Sequence, residues 1–233
     1  MGKVLAITNQ KGGVGKTTTA VNLGACLAVL GRKVLVLDND PQGNATSGLG
    51  LKKSEIKKCI YDVLISEVPI QDVIMNTQIT NLSAVPATIR LAGAEAELVG
   101  MMARDQRLRR SIEPVRNNYD FILIDCPPSL GNLTLNALAA ADAVVVPIQC
   151  EYYALEGLSQ LMKTLQLVQK YSNPSLYVQG VVLTMYDNRT NLSQQVAEEV
   201  RNYFQERVYK AIIPRNIRLS EAPSHGLPIN LYD

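Results

Sequence analysis

The sequence predicts an α/β fold: a mainly parallel, twisted sheet with helices on both faces. Three observations carry that expectation. Apolar, β-branched runs recur along the chain, helical stretches separate them, and the runs are continuous rather than alternating. Continuous runs belong to strands buried on both faces, as in parallel sheets covered by helices. Val4–Ile7 opens the series, and a glycine-rich turn leads from it into a helical pattern at Thr17–Leu30. Val34–Leu37 is the second run. After it, Glu55–Ile65 and Ile70–Asn76 read as short helices of an insertion, and Leu82–Val85, just before Pro86, as a weaker strand. A long helix is expected over Ala92–Asn117, broken near Met102–Arg104. Strand Phe121–Ile124, helix Leu133–Ala140, strand Ala143–Ile148 and helix Leu155–Tyr171 continue the alternation. Strand Val181–Thr184, helix Leu192–Glu206 and strand Val208–Ile213 complete it. With no internal repeat, low-complexity run or Gly/Pro/Ser-rich linker, residues 1–233 are expected to form a single domain.

Composition narrows the class. A chain of 233 residues can bury roughly 70–75% of its unfolded surface without disulfides or metals. Hydrophobic residues at 47% and charged residues at 19% are ordinary for a globular protein. No apolar stretch approaches the length of a membrane span, about 20 residues. The start, Met-Gly-Lys-Val-Leu-Ala, runs straight into a strand and leaves no room for a signal peptide, so a cytoplasmic protein is expected. Cys26, Cys59, Cys126 and Cys150 show no C-x-x-C spacing and read as reduced thiols. His225 is the only histidine, so no histidine metal cluster or triad can be assembled. A net charge of +2 permits binding to a polyanion without demanding it.

Residues 9–18 read Asn-Gln-Lys-Gly-Gly-Val-Gly-Lys-Thr-Thr. Between a strand and a helix, this composition is a phosphate-binding loop. Gly12, Gly13 and Gly15 let the backbone approach a polyphosphate. The first N–H groups of the helix, unpaired within it, point toward the anion. Lys16 supplies a full charge at the β/γ-phosphates, and the Thr17 hydroxyl is placed to ligate Mg²⁺. Val14 and Thr18 complete the expected nucleotide contacts. The G-x-x-x-x-G-K-[ST] pattern fails at its first glycine, which falls on Gln10, and a second lysine, Lys11, stands five residues before Lys16.

A loop written K-G-G-x-G-K-T-T resembles the deviant Walker A loop of the ParA/MinD family of P-loop ATPases. The resemblance implies that Lys11 reaches across a homodimer to the partner's ATP, the alternative being a solvated loop lysine. At the strand ends, Asp125 reads as the carboxylate that holds Mg²⁺. The stretch Asp38-Asn39-Asp40-Pro41-Gln42-Gly43-Asn44 matches the D-x-D-P-Q-G-N switch of the Soj/ParA partitioning proteins. By that resemblance Asp40 orients the attacking water, and Asp38 supports Mg²⁺ and the switch. The loop Pro127–Gly131 is similar to the second switch, its glycine registering the γ-phosphate. Ile213–Gly226 resembles the family's adenine-side loop, with Pro214 and Asn216 at the base-reading positions. Residues 150–157, Cys-Glu-Tyr-Tyr-Ala-Leu-Glu-Gly, extend the likeness. Family members continue past Tyr232-Asp233 into a further helix, whose share of packing and DNA surface is therefore unassigned.

What the resemblance implies is a Mg²⁺- and ATP-dependent dimerising ATPase that binds nucleoid DNA non-specifically and answers to a ParB-type centromere-binding partner. Arg189 and Arg218 fall at DNA-contacting positions, with salt bridging inside the fold as the alternative; Arg215 and Lys210 could join them. Arg104, Arg107, Arg109, Arg110 and Arg116 form a basic cluster that reads as a solvated face, with a DNA role as the alternative. A MinD-like membrane-cycling ATPase is the runner-up. It requires a C-terminal amphipathic helix, and its switch lacks the Pro-Gln-Gly-Asn of 41–44. An iron–sulfur reductase like nitrogenase iron protein needs a pair of cluster cysteines at the dimer seam, and Cys126 lies too close to Asp125 to serve.

Overall fold

The computed structural model describes residues 1–151 and 154–233, with the backbone alone at 154–156. Tyr152 and Tyr153 of the 150–157 motif lie outside the described residues. Eight strands form one sheet: β1 (Lys3–Ile7), β2 (Val34–Asp38), β3 (Met75–Asn76), β4 (Leu82–Val85), β5 (Phe121–Asp125), β6 (Ala143–Gln149), β7 (Tyr177–Tyr186) and β8 (Val208–Pro214). Their order is β3-β4-β2-β5-β1-β6-β7-β8. Every neighbouring pair is parallel except β3–β4. The longer helices are α1 (Lys16–Val29), α6 (Asn132–Ala140), α7 (Ala154–Tyr171) and α8 (Asn191–Phe204). Shorter ones are α2 (Asn44–Gly48), α3 (Ile60–Ser66), α4 (Ala94–Glu97), α5 (Arg107–Ile112), α9 (Ile217–Glu221) and α10 (Ile229–Tyr232).

Alternation along each strand feeds two cores, because successive side chains point to opposite faces. Val4, Ala6, Leu35, Leu37, Ile122 and Ile124 enter one core, packed by α3, α5, α6, α7 and α8. Leu5, Ile7, Val34, Val36 and Leu123 enter the other, under α1 and α2. Both faces of β2 are buried, which is why its sequence is apolar without a break. Helix α1 lies close on the sheet at Gly24, where a Cβ would meet Val36 Cγ2 at 2.7 Å. Mid-helix glycine costs about 1 kcal/mol in propensity; here close packing is the return. The helix stops at Gly31, whose φ of 80° is left-handed, and the Gly31 N–H closes on the Ala28 carbonyl.

Two expected helices are corrected. Over 92–117 the chain forms short pieces, α4 and α5 with 3₁₀ turns at Leu98–Gly100, Arg104–Gln106 and Glu113–Asn118. The expected break is present, at Ala103 with φ 48°, but Gly100 and Pro114 interrupt the run further. The stretch Ile70–Asn76 begins as a 3₁₀ turn, and its end is β3, with Met75 paired to Ala84 and Asn76 to Ser83. Tertiary pairing against β4 decides the conformation of those two residues, and no local pattern announces it.

The topology sets three strand ends side by side. Ile7 of β1 and Asp38 of β2 both register with Asp125 of β5. In open α/β sheets the groove outside such carboxyl ends is where ligands bind.

Candidate nucleotide-binding site

From β1 the chain wraps through 8–15 into α1. Gly13 (φ 74°) and Gly15 (φ 87°) are left-handed, a conformation costly to residues with a Cβ. Gly15 is the N-cap of α1 and carries no side-chain cap, so the first N–H groups remain for an anion. The Thr184 hydroxyl of β7 donates to the Val14 carbonyl at 2.9 Å and pins the loop. Lys16 folds back over it, its Nζ donating to the Lys11 carbonyl at 3.0 Å. The side chain is buried, and burial lowers its pKa, against the nearby charges of Asp125, Cys126 and Asp40. A cation held in a low-dielectric cradle with its head on a single carbonyl is poised to exchange that carbonyl for phosphate oxygen.

Lys11 is anchored by its backbone, N–H to Asn9 Oδ1 at 3.1 Å, while Asn9 Nδ2 holds the Pro147 carbonyl at 2.8 Å. Its ammonium pairs with Glu151 at 3.4 Å, and Glu151 also meets Arg215 at 3.5 Å. The Lys11 and Glu151 side chains are 29% and 46% exposed. Such a pair is worth about 0–1 kcal/mol, so it does not hold Lys11 against a polyphosphate.

The carboxylates differ in environment. Asp38 is fully engaged: it accepts from the Thr46 N–H (2.7 Å), the Thr46 hydroxyl (2.6 Å) and the Asp40 N–H (3.2 Å). Burial nonetheless raises its pKa to about 6. Asp40 accepts from the Gln42 N–H at 2.9 Å, which closes the turn into α2. Asp125 is the exception. Both of its oxygens are buried with no hydrogen bond of ordinary geometry, and its pKa is raised by burial first and then by Asp38, with the nearby Thr17 hydroxyl and then Lys16 opposing. A buried carboxylate beside a phosphate loop, with only the Thr17 hydroxyl close to it, fits a cation. Among the described residues no three His, Cys, Asp or Glu side chains form a metal cluster. Mg²⁺ keeps several waters and takes few protein ligands. Thr17 and Asp125 are the residues that would hold it, with Asp38 bracing the adjoining switch.

Neutralising this carboxylate should stabilise the empty protein. Asp125→Asn removes a buried charge whose folded pKa lies above its unfolded value. The native state therefore holds the proton longer, and the burial penalty grows as pH rises above about 4. In chelator and without nucleotide, the variant should melt higher than the parent at pH 7.5, with the gain shrinking toward pH 4. Each kcal/mol corresponds to about 2–4 °C for a chain of this size. Thermal scans across pH check it. A pH-independent difference, or a loss of stability, would contradict the assignment.

A cleft of about 380 Å³ opens beside the loop, lined by Thr17, Thr18, Asn44, Ser47, Pro223 and Ser224 among others. Pro214 and Asn216 are exposed and are not among its walls. Asn216 caps α9, its Oδ1 accepting from the Arg218 N–H at 2.7 Å. Asn44 and Ser224 of this cleft fall within the switch and adenine-side stretches read from the sequence, whereas Ser47 was not legible, since α2 reaches the cleft only through the fold.

The arginines separate as well. Arg107 and Arg116 are structural: Arg107 binds the Leu64 carbonyl, and Arg116 holds Asp142 (2.6 Å) and the Gly2 carbonyl. Arg104, Arg109 and Arg110 are exposed. Arg189 pairs with Asp187 at 2.7 Å and draws the Asp187 pKa down to about 2. Arg218 lies 3.4 Å from Glu221 and 3.9 Å from Asp233. Both are exposed, and both carry an acidic neighbour.

Comparison with known proteins bears on this site. A family model described as an AAA domain matches residues 2–178. The chain is 64% identical over 233 residues to the sporulation initiation inhibitor protein Soj of Bacillus subtilis, covering 100% of this chain and 92% of that protein. It is 57% identical to the chromosome partitioning protein ParA of Myxococcus xanthus, covering 100% and 82%. Among solved structures, cobyrinic acid a,c-diamide synthase from Mycobacterium smegmatis, with bound ADP and magnesium, superposes with a TM-score of 0.88 at 39% identity, covering 97% of this chain and 93% of that one.

Proposed function

Since the chain belongs to the Soj/ParA family of chromosome-partitioning ATPases, we propose that it hydrolyses MgATP between two copies of itself and binds DNA in the ATP state. The observation that carries this reading is the pairing of a glycine loop, with Lys16 Nζ resting on the Lys11 carbonyl, and a buried carboxylate at Asp125 that has only the Thr17 hydroxyl near it and no hydrogen bond of ordinary geometry. The first needs a polyphosphate and the second a cation. The amide-forming activity named for the Mycobacterium smegmatis structure is not carried over, because the relatives at 64% and 57% identity are a Soj and a ParA protein.

In this account Lys16 and the N–H groups of 13–18 bind the β/γ-phosphates, and Lys11 leaves Glu151 to reach the partner's nucleotide. Magnesium, which Thr17 and Asp125 would hold, would supply charge neutralisation to the polyphosphate. Asp40, near Lys16, positions the attacking water. It need not be a strong base, since phosphoryl transfer rests on positioning and charge stabilisation. Pro214 and Asn216 meet the base once the cleft closes on it. A ParB-type protein is the partner that stimulates turnover, and the nucleoid is where the ATP form resides.

DNA binding gives the test of the partitioning role. A single copy presents few cations, and those are partly neutralised by Asp187, Glu221 and Asp233. Two copies double the contacts, so affinity should rise steeply with a non-hydrolysable ATP analogue and not with ADP. Log K should fall with log salt at about −0.9 per phosphate neutralised. Arg189→Glu and Arg218→Glu should each weaken binding on every sequence and flatten the salt slope, with dimerisation intact. Filter binding across a salt series checks this. Dimers that ignore DNA at low salt but pellet with anionic vesicles would favour the membrane-cycling alternative.

A further inference from the structure

The second switch loop, Pro127–Gly131, ends at α6, and the N-cap of that helix is a glycine with no side chain to offer. The cap comes from elsewhere. Glu95 of α4 accepts from the Asn132 N–H at 2.7 Å through Oε2 and from the Leu133 N–H at 3.2 Å through Oε1. Asn132 Nδ2 returns a hydrogen bond to the Glu95 carbonyl at 2.9 Å. A Cβ on Gly131 would sit 2.6 Å from Glu95 Oε1, and the three nearest atoms all belong to that carboxyl. Gly131 has φ −79°, which any residue can adopt. Its glycine is thus required by the carboxylate's approach and not by backbone conformation.

The same helix turn meets the first switch. Asn39, between Asp38 and Asp40, donates through Nδ2 to the Leu133 carbonyl at 2.8 Å. On the other side of Asp38, Thr46 accepts from the Ala87 N–H at 2.9 Å while donating to the Asp38 carboxylate. The segment from Ala87 to Glu95 therefore begins on the first switch and ends on the second. Pro128 of the loop lies against the phosphate loop at Gly12, 3.8 Å from where its Cβ would be.

We propose that Glu95 is a positioning residue for ATP hydrolysis, fixing the end of the second switch to the element that also braces Asp38. The proposal rests on the reading of Pro127–Gly131 as a nucleotide switch. With the carboxylate in place, the turn carrying Leu133 is held from two sides, and Asn39 keeps Asp38 and Asp40 in register with the loop. Without it, α6 loses an anionic cap on its first turn, and the Asn132 bond to the residue 95 carbonyl is left as the remaining tie to α4.

The test separates capping from positioning. Glu95→Ala should lower the melting temperature slightly and reduce kcat by roughly tenfold or more, with KM for ATP unchanged. Glu95→Ala/Gly131→Ser restores a cap within the helix, since removal of the carboxyl frees the space for a Cβ and the backbone at 131 is already extended. That double variant should regain the melting temperature but not kcat. Recovery of kcat together with stability would reduce Glu95 to a helix cap and overturn the proposal. So would an unchanged kcat, or a loss confined to KM, in the single variant. Absence of ATP hydrolysis by the unmodified protein would instead overturn the proposed function, a result read in the same assay.

Discussion

A Lys16→Ala variant is expected to lose ATP binding by at least about 100-fold, and hydrolysis with it. A tenfold change in affinity is about 1.4 kcal/mol, so the expected loss is on the order of 2.7 kcal/mol or more. The estimate follows from the cradle. Lys16 is buried, and its ammonium has the Lys11 carbonyl as its neutral partner at 3.0 Å. A charge already stripped of water gives more to an incoming phosphate than a solvated one, and each charge-assisted hydrogen bond contributes about 1.5–3 kcal/mol. In contrast, Asp40→Ala removes no phosphate contact. It should retain ATP and accumulate as a nucleotide-bound dimer, because only the water is left unplaced. Calorimetry with ATP, paired with phosphate release, distinguishes the two. A monomeric Asp40→Ala protein that binds ATP would sink the water-positioning role, and normal affinity in Lys16→Ala would sink the loop assignment.

Much of the fold was legible because a two-faced parallel sheet leaves a strong mark. Strands such as Val34–Asp38 are buried throughout, and the glycine loop sits where strand gives way to helix. The ends of elements were less legible. β7 runs from Tyr177 to Tyr186, beyond the apolar Val181–Thr184, because Tyr177, Val178 and Gly180 pair with β6 around an irregularity at Gln179. β3 is two residues held by an antiparallel partner. The fragmentation of 92–117 was signalled by Gly93, Gly100 and Pro114, yet helical periodicity read through them.

The site divides along the same line. Lys11, Lys16, Thr17, Asp38, Asp40 and Asp125 lie on short motifs at strand ends, and the sheet brings those ends together. Their supports come from far away in the chain: Glu151 is 140 residues from Lys11, and Glu95 is 37 from Asn132. Thr46 lies eight from Asp38 but carries no motif of its own. Nothing local marks such partners: the Glu95 bonds exist only once the insertion has packed against α6, and those of Glu151 and Thr46 only once the residue after β6 and helix α2 reach the strand ends. The engagement of Arg189 and Arg218 with acidic neighbours was equally invisible as geometry, although salt bridging was the stated alternative.

The central claim is that Lys11 acts on a second copy of the chain, and one comparison tests it most directly. Lys11 contributes its side chain to a weak pair with Glu151, whereas the phosphate loop of its own copy keeps Lys16, Thr17 and the glycine backbone. Lys11→Ala should therefore bind ATP nearly as the parent does. Two triphosphates brought face to face without cross-neutralisation repel, so the variant should stay monomeric. Sedimentation velocity with a non-hydrolysable ATP analogue, on the parent and on Lys11→Ala, with ATP binding confirmed by calorimetry, is the measurement. The account predicts a dimer for the parent with the analogue, a monomer with ADP, and a monomer for the variant in both. A Lys11→Ala protein that dimerised normally with the analogue would show that Lys11 is a solvated loop lysine and contradict the account.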